Sequence, residues 1–234
     1  MEEVTYREHF KELRKKFLWI LFPALAIFVL TFLFSKKIIS SLMNYVNIPL
    51  ESVVSLTPFE SIQTSLMLSG FTTLLFIFPM FLFSFYNFTK PAMNKKVKST
   101  TRKYLYGCTF FALVGFTFGI VVFSRMVLNT LISTYQLTNP MWSVMSIVKF
   151  IMKSSLSLAV IMQTCMIIPA LNNMELINVK KLKKFRPLII ISVLILSAII
   201  TPPDIVSQVI MAIPFYGSFE LGMLLSKDKG VEKE

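Results

Sequence analysis

Six long apolar runs, separated by short polar segments, decide what this chain can fold into. Hydrocarbon offers no partner to backbone N–H and C=O groups, so an apolar run of about 20 residues crosses a bilayer as an α-helix. The runs predict membrane spans at about 17–34, 66–85, 104–123, 150–171, 187–200 and 205–225. The predicted fold class is all-α: a polytopic membrane protein in which residues 1–234 form a single transmembrane domain.

The last two runs meet at Thr201-Pro202-Pro203-Asp204. Thr201 is a typical N-cap residue, Pro202 suits the first helical position because no N–H is needed there, and Asp204 favours the positive end of a helix. The run before this corner, 188–200, is shorter than a comfortable span. We therefore expect the last two spans to be short and the bilayer around them to be locally thinned.

The basic residues predict the orientation of the spans. The chain has a net charge of +12, and most of its Lys and Arg residues lie in gaps on one side of a six-span arrangement. That side holds Arg7, Lys11, Arg14, Lys15, Lys16, the loops 90–103 and 180–186, Lys227, Lys229 and Lys233. The other side holds Lys36, Lys37, Arg125, Lys149 and Lys153. The asymmetry places both termini inside and accounts for the charge without nucleic-acid binding.

The segment 1–16 is predicted to be an interfacial helix that lies on the membrane before the first span. Thr5 and Glu8 have the spacing of a capping box, and apolar residues recur every three to four positions. The first apolar run is too long for a signal-peptide core and is followed by no cleavage pattern, so we interpret it as a retained span.

Further helix signals lie along the chain. Thr57 and Glu60 have capping-box spacing around Pro58, which predicts a helix start. Pro79 is expected to bend the second span. The residues assigned structural roles are Pro49, Thr57, Pro58, Pro79, Pro169, Thr201, Pro202, Pro203 and Pro214.

A few polar side chains interrupt the apolar runs, at a free-energy cost that points to function rather than simple anchoring. Gln163, in mid-span, is expected to hydrogen-bond a neighbouring helix or a bound partner. Asp204 and Gln208 lie one turn apart, with helix capping as the alternative role of Asp204. Glu220 is positioned to pair with a loop lysine.

Enzyme motifs are absent from the sequence. There is no CxxC pair, no HExxH and no glycine-rich phosphate loop. His9 is the single histidine, and Cys108 and Cys165 both lie within apolar runs. The sequence predicts no enzyme, no metal site and no cofactor.

Several motifs together resemble the TatC family, the multi-span receptor subunit of the twin-arginine (Sec-independent) protein translocase. They are His9-Phe10-Lys11-Glu12-Leu13-Arg14, Pro49-Leu50, Thr57-Pro58-Phe59-Glu60, Phe88-Thr89-Lys90-Pro91, Thr201-Pro202-Pro203-Asp204-Ile205-Val206-Ser207-Gln208, Ile213-Pro214 and Phe219-Glu220. Their order and spacing agree with the family over essentially the whole chain, and the stretch from Thr201 to Gln208 is the most specific.

The resemblance implies a concave, glove-like arrangement of helices that binds twin-arginine signal peptides and supports transport of folded proteins driven by the proton-motive force. It implies single-span TatA- and TatB-type partners, and homo- and hetero-oligomers. The signal-binding residues would be His9, Glu12, Arg14, Phe88 and Pro91. The polar positions of the outer face and the intramembrane pocket would be Glu60, Gln163, Asp204, Gln208 and Glu220.

Two positions depart from the family pattern. Val97 stands where the family usually has a second acid after the loop proline, and Ile167 stands where a Glu usually precedes the proline of span four. Gln163 lies one turn from Ile167 and keeps a polar group on that face. Such drift in a Lys-, Phe- and Ile-rich chain favours an organelle-encoded or reduced-genome copy. A mitochondrial inner membrane is the favoured location, with a plastid thylakoid or a bacterial plasma membrane as alternatives.

Two other functions stay open at this point. A secondary transporter or channel would use the polar residues of spans four to six to line a path for a small solute. Alternatively, the chain is a structural membrane subunit that has lost receptor activity, which the departures at Val97 and Ile167 would allow.

Overall fold

The computed structural model describes residues 2–48, 53–55, 57–90, 95–135, 142–174, 176–201 and 204–226. For residues 2–17, 53, 85, 88, 89, 95–97, 100, 134 and 135 the backbone alone is described.

The described chain is built almost entirely of α-helices. They are α1 (Glu2–Leu33), α2 (Ser35–Val46), α3 (Glu60–Thr89), α4 (Lys95–Phe118), α5 (Arg125–Tyr135), α6 (Val144–Met162), α7 (Thr164–Asn173), α8 (Val179–Lys184), α9 (Arg186–Ile200) and α10 (Ile205–Leu225). A π-helical turn, Gly119–Ser124, joins α4 to α5. Two short strands, β1 (Val53–Val54) and β2 (Trp142–Ser143), form a parallel pair in which Val53 faces Trp142.

Four helical segments of the described chain are long and apolar enough to cross a bilayer: 60–84, 101–133, 144–173 and 205–225. A fifth is bent, because 18–33 and 35–46 meet at an angle of 65°. The apolar helix α9 has 15 residues and reaches only about 22 Å at 1.5 Å per residue. The predicted runs 187–200 and 205–225 coincide with α9 and α10, and the six-span count remains a prediction.

The structure differs from the sequence analysis at the N-terminus. α1 continues from Glu2 to Leu33 without a break, so no boundary separates the predicted interfacial helix 1–16 from the first span. Pro23 lies inside α1 and does not interrupt it. The bend comes later, at Phe34, beyond which Ser35 begins α2.

Two segments interpreted as linkers contain helices. The sequence between the predicted spans predicts linkers at 38–65 and 124–148; most of α2 lies in the first of them, and α5 lies in the second. The Tyr45 hydroxyl of α2 donates a hydrogen bond to the carbonyl oxygen of Val121, in the π-helical turn before α5, at 2.8 Å. The Arg125 guanidinium lies 5.3 Å above the ring of Tyr45. α2 is thus fastened to the π-helical turn, whose carbonyl groups are not all bonded in the usual α-helical pattern.

The main apolar core lies where α2, α3, α5 and α6 meet. Its buried residues include Met43, Leu68, Leu128, Val148 and Ile151. A second cluster around Phe123 and Met211 continues the core toward α10. Burial of these side chains orders one end of the bundle, while most side chains of α9 and of residues 18–33 in α1 stay at least partly exposed for contact with lipid.

α4 and the π-helical turn pack closely on α6 through glycine. A Cβ built at Gly115 would lie 2.5 Å from the carbonyl oxygen of Leu158, and one built at Gly119 would meet the Cα atom of Ser155 at a shorter distance still. These contacts are with backbone atoms, which cannot move aside by a change of rotamer. Gly115 and Gly119, small residues within a predicted span, thus allow the close approach of a neighbouring helix.

We predict that Gly115→Ala destabilises the protein by about 1–3 kcal/mol, since the added methyl group must push α4 away from α6. Gly70→Ala is the matched control, because Gly70 is also helical and a Cβ there would meet no heavy atom within 4 Å. The midpoint of thermal unfolding in detergent measures both variants. Equal midpoints for the two would contradict the packing described here.

Candidate functional site

α1 and α3 place two of the predicted signal-binding residues at the same level along the axis of the helix bundle. The Ser35 hydroxyl, just past the end of α1, donates to the Ser65 hydroxyl in the first part of α3 at 3.0 Å. The two helices pack extensively and therefore run antiparallel. Glu12 lies 23 residues before Ser35, and Phe88 lies 23 residues after Ser65. At about 1.5 Å per residue, both positions come to about the same height, at the end of the bundle opposite to the serine pair.

The other members of the predicted signal-binding set are placed less fully. His9 and Arg14 lie on α1 with Glu12, and the backbone alone is described for all three. The same holds for Phe88 in α3, and Pro91 lies outside the described residues. Their grouping around a bound peptide therefore stays a prediction.

The loop that contains Pro91 has fixed ends. The Tyr86 hydroxyl donates a hydrogen bond to the carbonyl oxygen of Lys98 at 2.9 Å. This bond joins the last turn of α3 to the first turns of α4. The end of α3 and the start of α4 therefore lie together at the same end of the bundle as Glu12.

Glu60 forms a second polar site, at the other end of α3. Its side chain is buried, with 4% of the residue exposed. The Oε1 atom accepts a hydrogen bond from the Ser143 hydroxyl and another from the backbone N–H of Met145, at 3.2 Å. Ser143 is the N-cap of α6 and accepts from the N–H of Ser146. The carboxylate therefore lies at the positive end of α6 and satisfies a first-turn N–H group.

The predicted capping box at Thr57 is not formed. The residue before α3 is Phe59, which makes no side-chain cap, and the Glu60 N–H donates to the carbonyl oxygen of Thr57 at 3.1 Å. The carboxylate of Glu60 turns toward α6 instead of back to Thr57. Thr57 and Pro58 are exposed, whereas the first turn of α6 lies against the protein, so its N–H groups have greater need of a protein acceptor.

The N-cap of α10 is Asp204 rather than Thr201. The Asp204 carboxylate accepts from the N–H of Ser207 at 2.7 Å and from the Ser207 hydroxyl at 2.6 Å. Thr201 instead closes α9, with its hydroxyl donating to the carbonyl oxygen of Ser197 at 2.8 Å. The Thr201 N–H also bonds the carbonyl oxygen of Ser197, so Thr201 belongs to the end of α9 and not to the start of α10. The capping role considered for Asp204 is therefore the observed one.

Gln208 and Glu220 hold the α9–α10 hairpin together at two heights. The Gln208 side-chain amide donates to the carbonyl oxygen of Leu194 at 3.0 Å. Near the other end, a carboxylate oxygen of Glu220 lies 2.7 Å from a guanidinium nitrogen of Arg186, and the Tyr216 hydroxyl donates to its second oxygen. Glu220 was expected to pair with a loop lysine; its partner is the arginine that begins α9. Arginine suits this place because its planar fork fits a carboxylate.

Gln163 lies at the break between α6 and α7 and is 6% exposed. Its N–H bonds the carbonyl oxygen of Val160 at 3.2 Å, a tightened turn. The carboxamide has no hydrogen-bond partner among the side chains and backbone groups that the structure describes. Of the two expectations for Gln163, a hydrogen bond to a neighbouring helix is not observed. Ile167, one turn further on, is exposed.

The remaining structural residues follow the helices. Pro79, Pro169 and Pro214 lie inside α3, α7 and α10. Pro49, Pro202 and Pro203 lie outside the described residues. Sequence reasoning missed three residues that complete the polar contacts: Ser143, Tyr216 and Arg186. For Ser143 a signal was present, since a serine directly before an apolar helix is a common N-cap.

The chain matches the family model of the Sec-independent protein translocase protein TatC over residues 8–214. It is 26% identical over 220 residues to the Sec-independent protein translocase protein TatCd of Bacillus subtilis (strain 168), covering 93% of this chain and 89% of that protein. It is 25% identical over 226 residues to the TatC protein of Escherichia coli (strain K12), covering 94% and 86%.

The fold is similar to a solved structure, the crystal structure of the twin-arginine translocase receptor TatC in DDM. The TM-score is 0.79 at 24% sequence identity, over 94% of this chain and 99% of that chain. The all-α polytopic fold predicted from the sequence is thereby confirmed.

We predict that Glu60→Ala destabilises the protein by about 1–3 kcal/mol, since it leaves a first-turn N–H group and the Ser143 hydroxyl without their acceptor. Thr57→Ala, which removes the hydroxyl of the unformed capping box, should change stability by less than about 0.5 kcal/mol. Thermal unfolding in detergent measures both. A larger effect from Thr57 than from Glu60 would show that the capping box, and not the contact with α6, stabilises this region.

Proposed function

This chain belongs to the TatC family of Sec-independent protein translocase proteins, and we propose on that premise that it is the receptor that binds twin-arginine signal peptides. The supporting observation is the family match over residues 8–214. Membership makes the chain a translocase component and not an enzyme. The alternative function, a transporter of a small solute, is not supported, because the chain matches a translocase family over nearly its whole length.

The proposed signal-binding surface consists of His9, Glu12, Arg14, Phe88 and Pro91. Its chemistry rests on Glu12, because a carboxylate binds a guanidinium through two parallel hydrogen bonds and tolerates no neutral substitute of equal strength. The common height of Glu12 and Phe88 on the antiparallel α1 and α3 supports this grouping. The Tyr86–Lys98 contact holds the end of α3 and the start of α4, which flank Pro91 in the sequence, at the same end.

Because position 97 is a valine, the proposed signal-binding surface has less negative charge than the family pattern predicts. The family usually has a second acid there, and the neighbouring positions Lys95, Lys96 and Lys98 are basic. Two arginines of a signal peptide then meet one proposed carboxylate, Glu12, in a basic surrounding. We propose that recognition is weaker here than in receptors with two acids, and that it depends more steeply on salt.

The proposed partners are single-span TatA- and TatB-type subunits, which assemble with this chain into homo- and hetero-oligomers for transport driven by the proton-motive force. Gln163 supports a partner surface, because its carboxamide makes no hydrogen bond to any described residue and can bond an incoming polar group. Ile167, exposed one turn away, adds an apolar contact area on the same side of α7.

The chain is an integral multi-pass membrane protein, and its relatives named above are bacterial. We propose the mitochondrial inner membrane as its location, with both termini on the inside. The distribution of lysine and arginine supports the orientation, and the drift at Val97 and Ile167 supports an organelle copy. Protease protection of tags placed at the two termini, in isolated mitochondria, tests both statements.

Glu12→Ala should abolish photo-crosslinking of a twin-arginine precursor to this chain, since it removes the proposed acceptor of a guanidinium. The crosslinker is placed in the precursor next to its arginine pair. Glu3→Ala is the matched control, because nine residues at 100° each place Glu3 on the opposite face of the same helix, and its crosslinking should equal wild type.

A precursor with two lysines in place of the arginines should crosslink weakly to every variant. Unchanged crosslinking of Glu12→Ala with the arginine precursor would remove Glu12 from the binding surface. If wild type crosslinks the two precursors equally, the chain is not a twin-arginine receptor.

We predict that Asp204→Ala lowers transport more than it lowers precursor binding, since the lost cap weakens α10 by about 0.5–2 kcal/mol while the signal surface at the other end of the bundle is untouched. Asp204→Asn should retain most transport because an amide oxygen also accepts from Ser207. Import of a folded precursor and crosslinking, measured on the same membranes, separate the two steps. Equal loss of folding and binding would make Asp204 a purely structural cap.

A further inference from the structure

Lys153 is a cation in the middle of an apolar helix. It lies on α6 within the apolar segment 144–173, and its side chain is exposed. The ammonium group donates a hydrogen bond to the carbonyl oxygen of Ile199 at 3.4 Å. Ile199 belongs to the last turn of α9, where carbonyl groups lack helical partners and carry partial negative charge.

This contact defines the depth of the α9–α10 corner in the membrane, relative to the start of α6. Lys153 follows Ser143, the N-cap of α6, by ten residues, or about 15 Å of helix. Its side chain leans toward the start of α6, so the end of α9 lies about 10–15 Å below the start of α6. Polar headgroups that reach the end of α9 therefore also reach Lys153.

Lys149 joins Lys153 on one exposed face. The two residues are one helical turn apart, and both are exposed. No carboxylate among the described residues lies within 4.0 Å of either ammonium group. Asp204, the acid of the nearby corner, is already bonded by the N–H and hydroxyl groups of Ser207. The two lysines thus present a charge of +2 that the described protein does not neutralise.

The surroundings of the two lysines are apolar and open. Ile199 is 67% exposed, and Ile195, Leu196 and Ile205 of the same hairpin are also exposed. A ligand that fits here carries negative charge at the level of the lysines and hydrocarbon beside the hairpin. A soluble anion meets the first requirement and fails the second.

We propose that Lys149 and Lys153 bind the phosphate group of an anionic phospholipid, whose acyl chains lie along the exposed face of α9. The lipid lies in the leaflet on the side of the membrane where α6 begins. Its phosphate takes up hydrogen bonds from Lys153 in addition to the long contact with Ile199, and Lys149 contributes the second cation. The site is independent of the proposed signal-binding surface, which lies at the other end of α1 and α3.

The test compares the purified protein in nanodiscs of pure phosphatidylcholine and in nanodiscs of an equimolar mixture with phosphatidylglycerol. We expect the anionic lipid to raise the apparent midpoint of thermal unfolding of wild type. Lys149→Gln should reduce this rise by about half, since one of the two cations is lost, and Lys149→Gln with Lys153→Gln should abolish it. The side chain of Lys149 makes no hydrogen bond to a described residue, so its replacement tests lipid binding apart from folding.

The double variant Lys36→Gln with Lys37→Gln is the matched control. It removes the same charge from exposed lysines of α2, and its rise should equal that of wild type. Equal losses in the two double variants would reduce the effect to general surface charge and overturn the proposal. An unchanged rise of the unfolding midpoint in Lys149→Gln would also overturn the proposal. An equal rise on addition of inorganic phosphate to phosphatidylcholine nanodiscs would do the same.

Discussion

Helix ends in an apolar solvent need partners from the protein itself, and this requirement accounts for the positions of three charged side chains in this chain. Each helix leaves four N–H and four C=O groups unbonded at its termini, and hydrocarbon satisfies none of them. Glu60 accepts from a backbone N–H at the start of α6, and Asp204 accepts from one at the start of α10. Lys153 donates to a carbonyl oxygen at the end of α9. The sign of the charge matches the end of the helix in all three cases.

These contacts also connect distant parts of the chain. Glu60 joins the start of α3 to the start of α6 across 85 positions, and the β1–β2 pair joins the same two regions beside it. Tyr45 fastens α2 to the π-helical turn, and Gly115 lets α4 approach the backbone of α6. These contacts therefore stabilise one side of the bundle. Most side chains of α9 and of residues 18–33 in α1 stay exposed to lipid or to a partner.

The sequence predicted the helical membrane fold because length and apolar character alone decide what can cross a bilayer. The ends of α9 and α10 were predicted closely, since Pro, Thr and Asp punctuate them. The partner of Glu60 was not predicted, because a capping box is a local pattern and the bond to α6 depends on tertiary contact. α2 and α5 were not predicted for a related reason. They contain polar residues and lack the continuous apolar sequence of a membrane span, and packing against the core stabilises them.

The difference in length between α3 and α9 has a mechanical consequence for the surrounding membrane. α3 has 30 residues and α9 has 15, so their lengths differ by about 22 Å at 1.5 Å per residue. No flat sheet of lipid matches both flanks, and the first shell of lipids must change height around the circumference of the molecule. We therefore expect the bilayer to be thinnest beside α9, where its thickness departs most from the length of the helix.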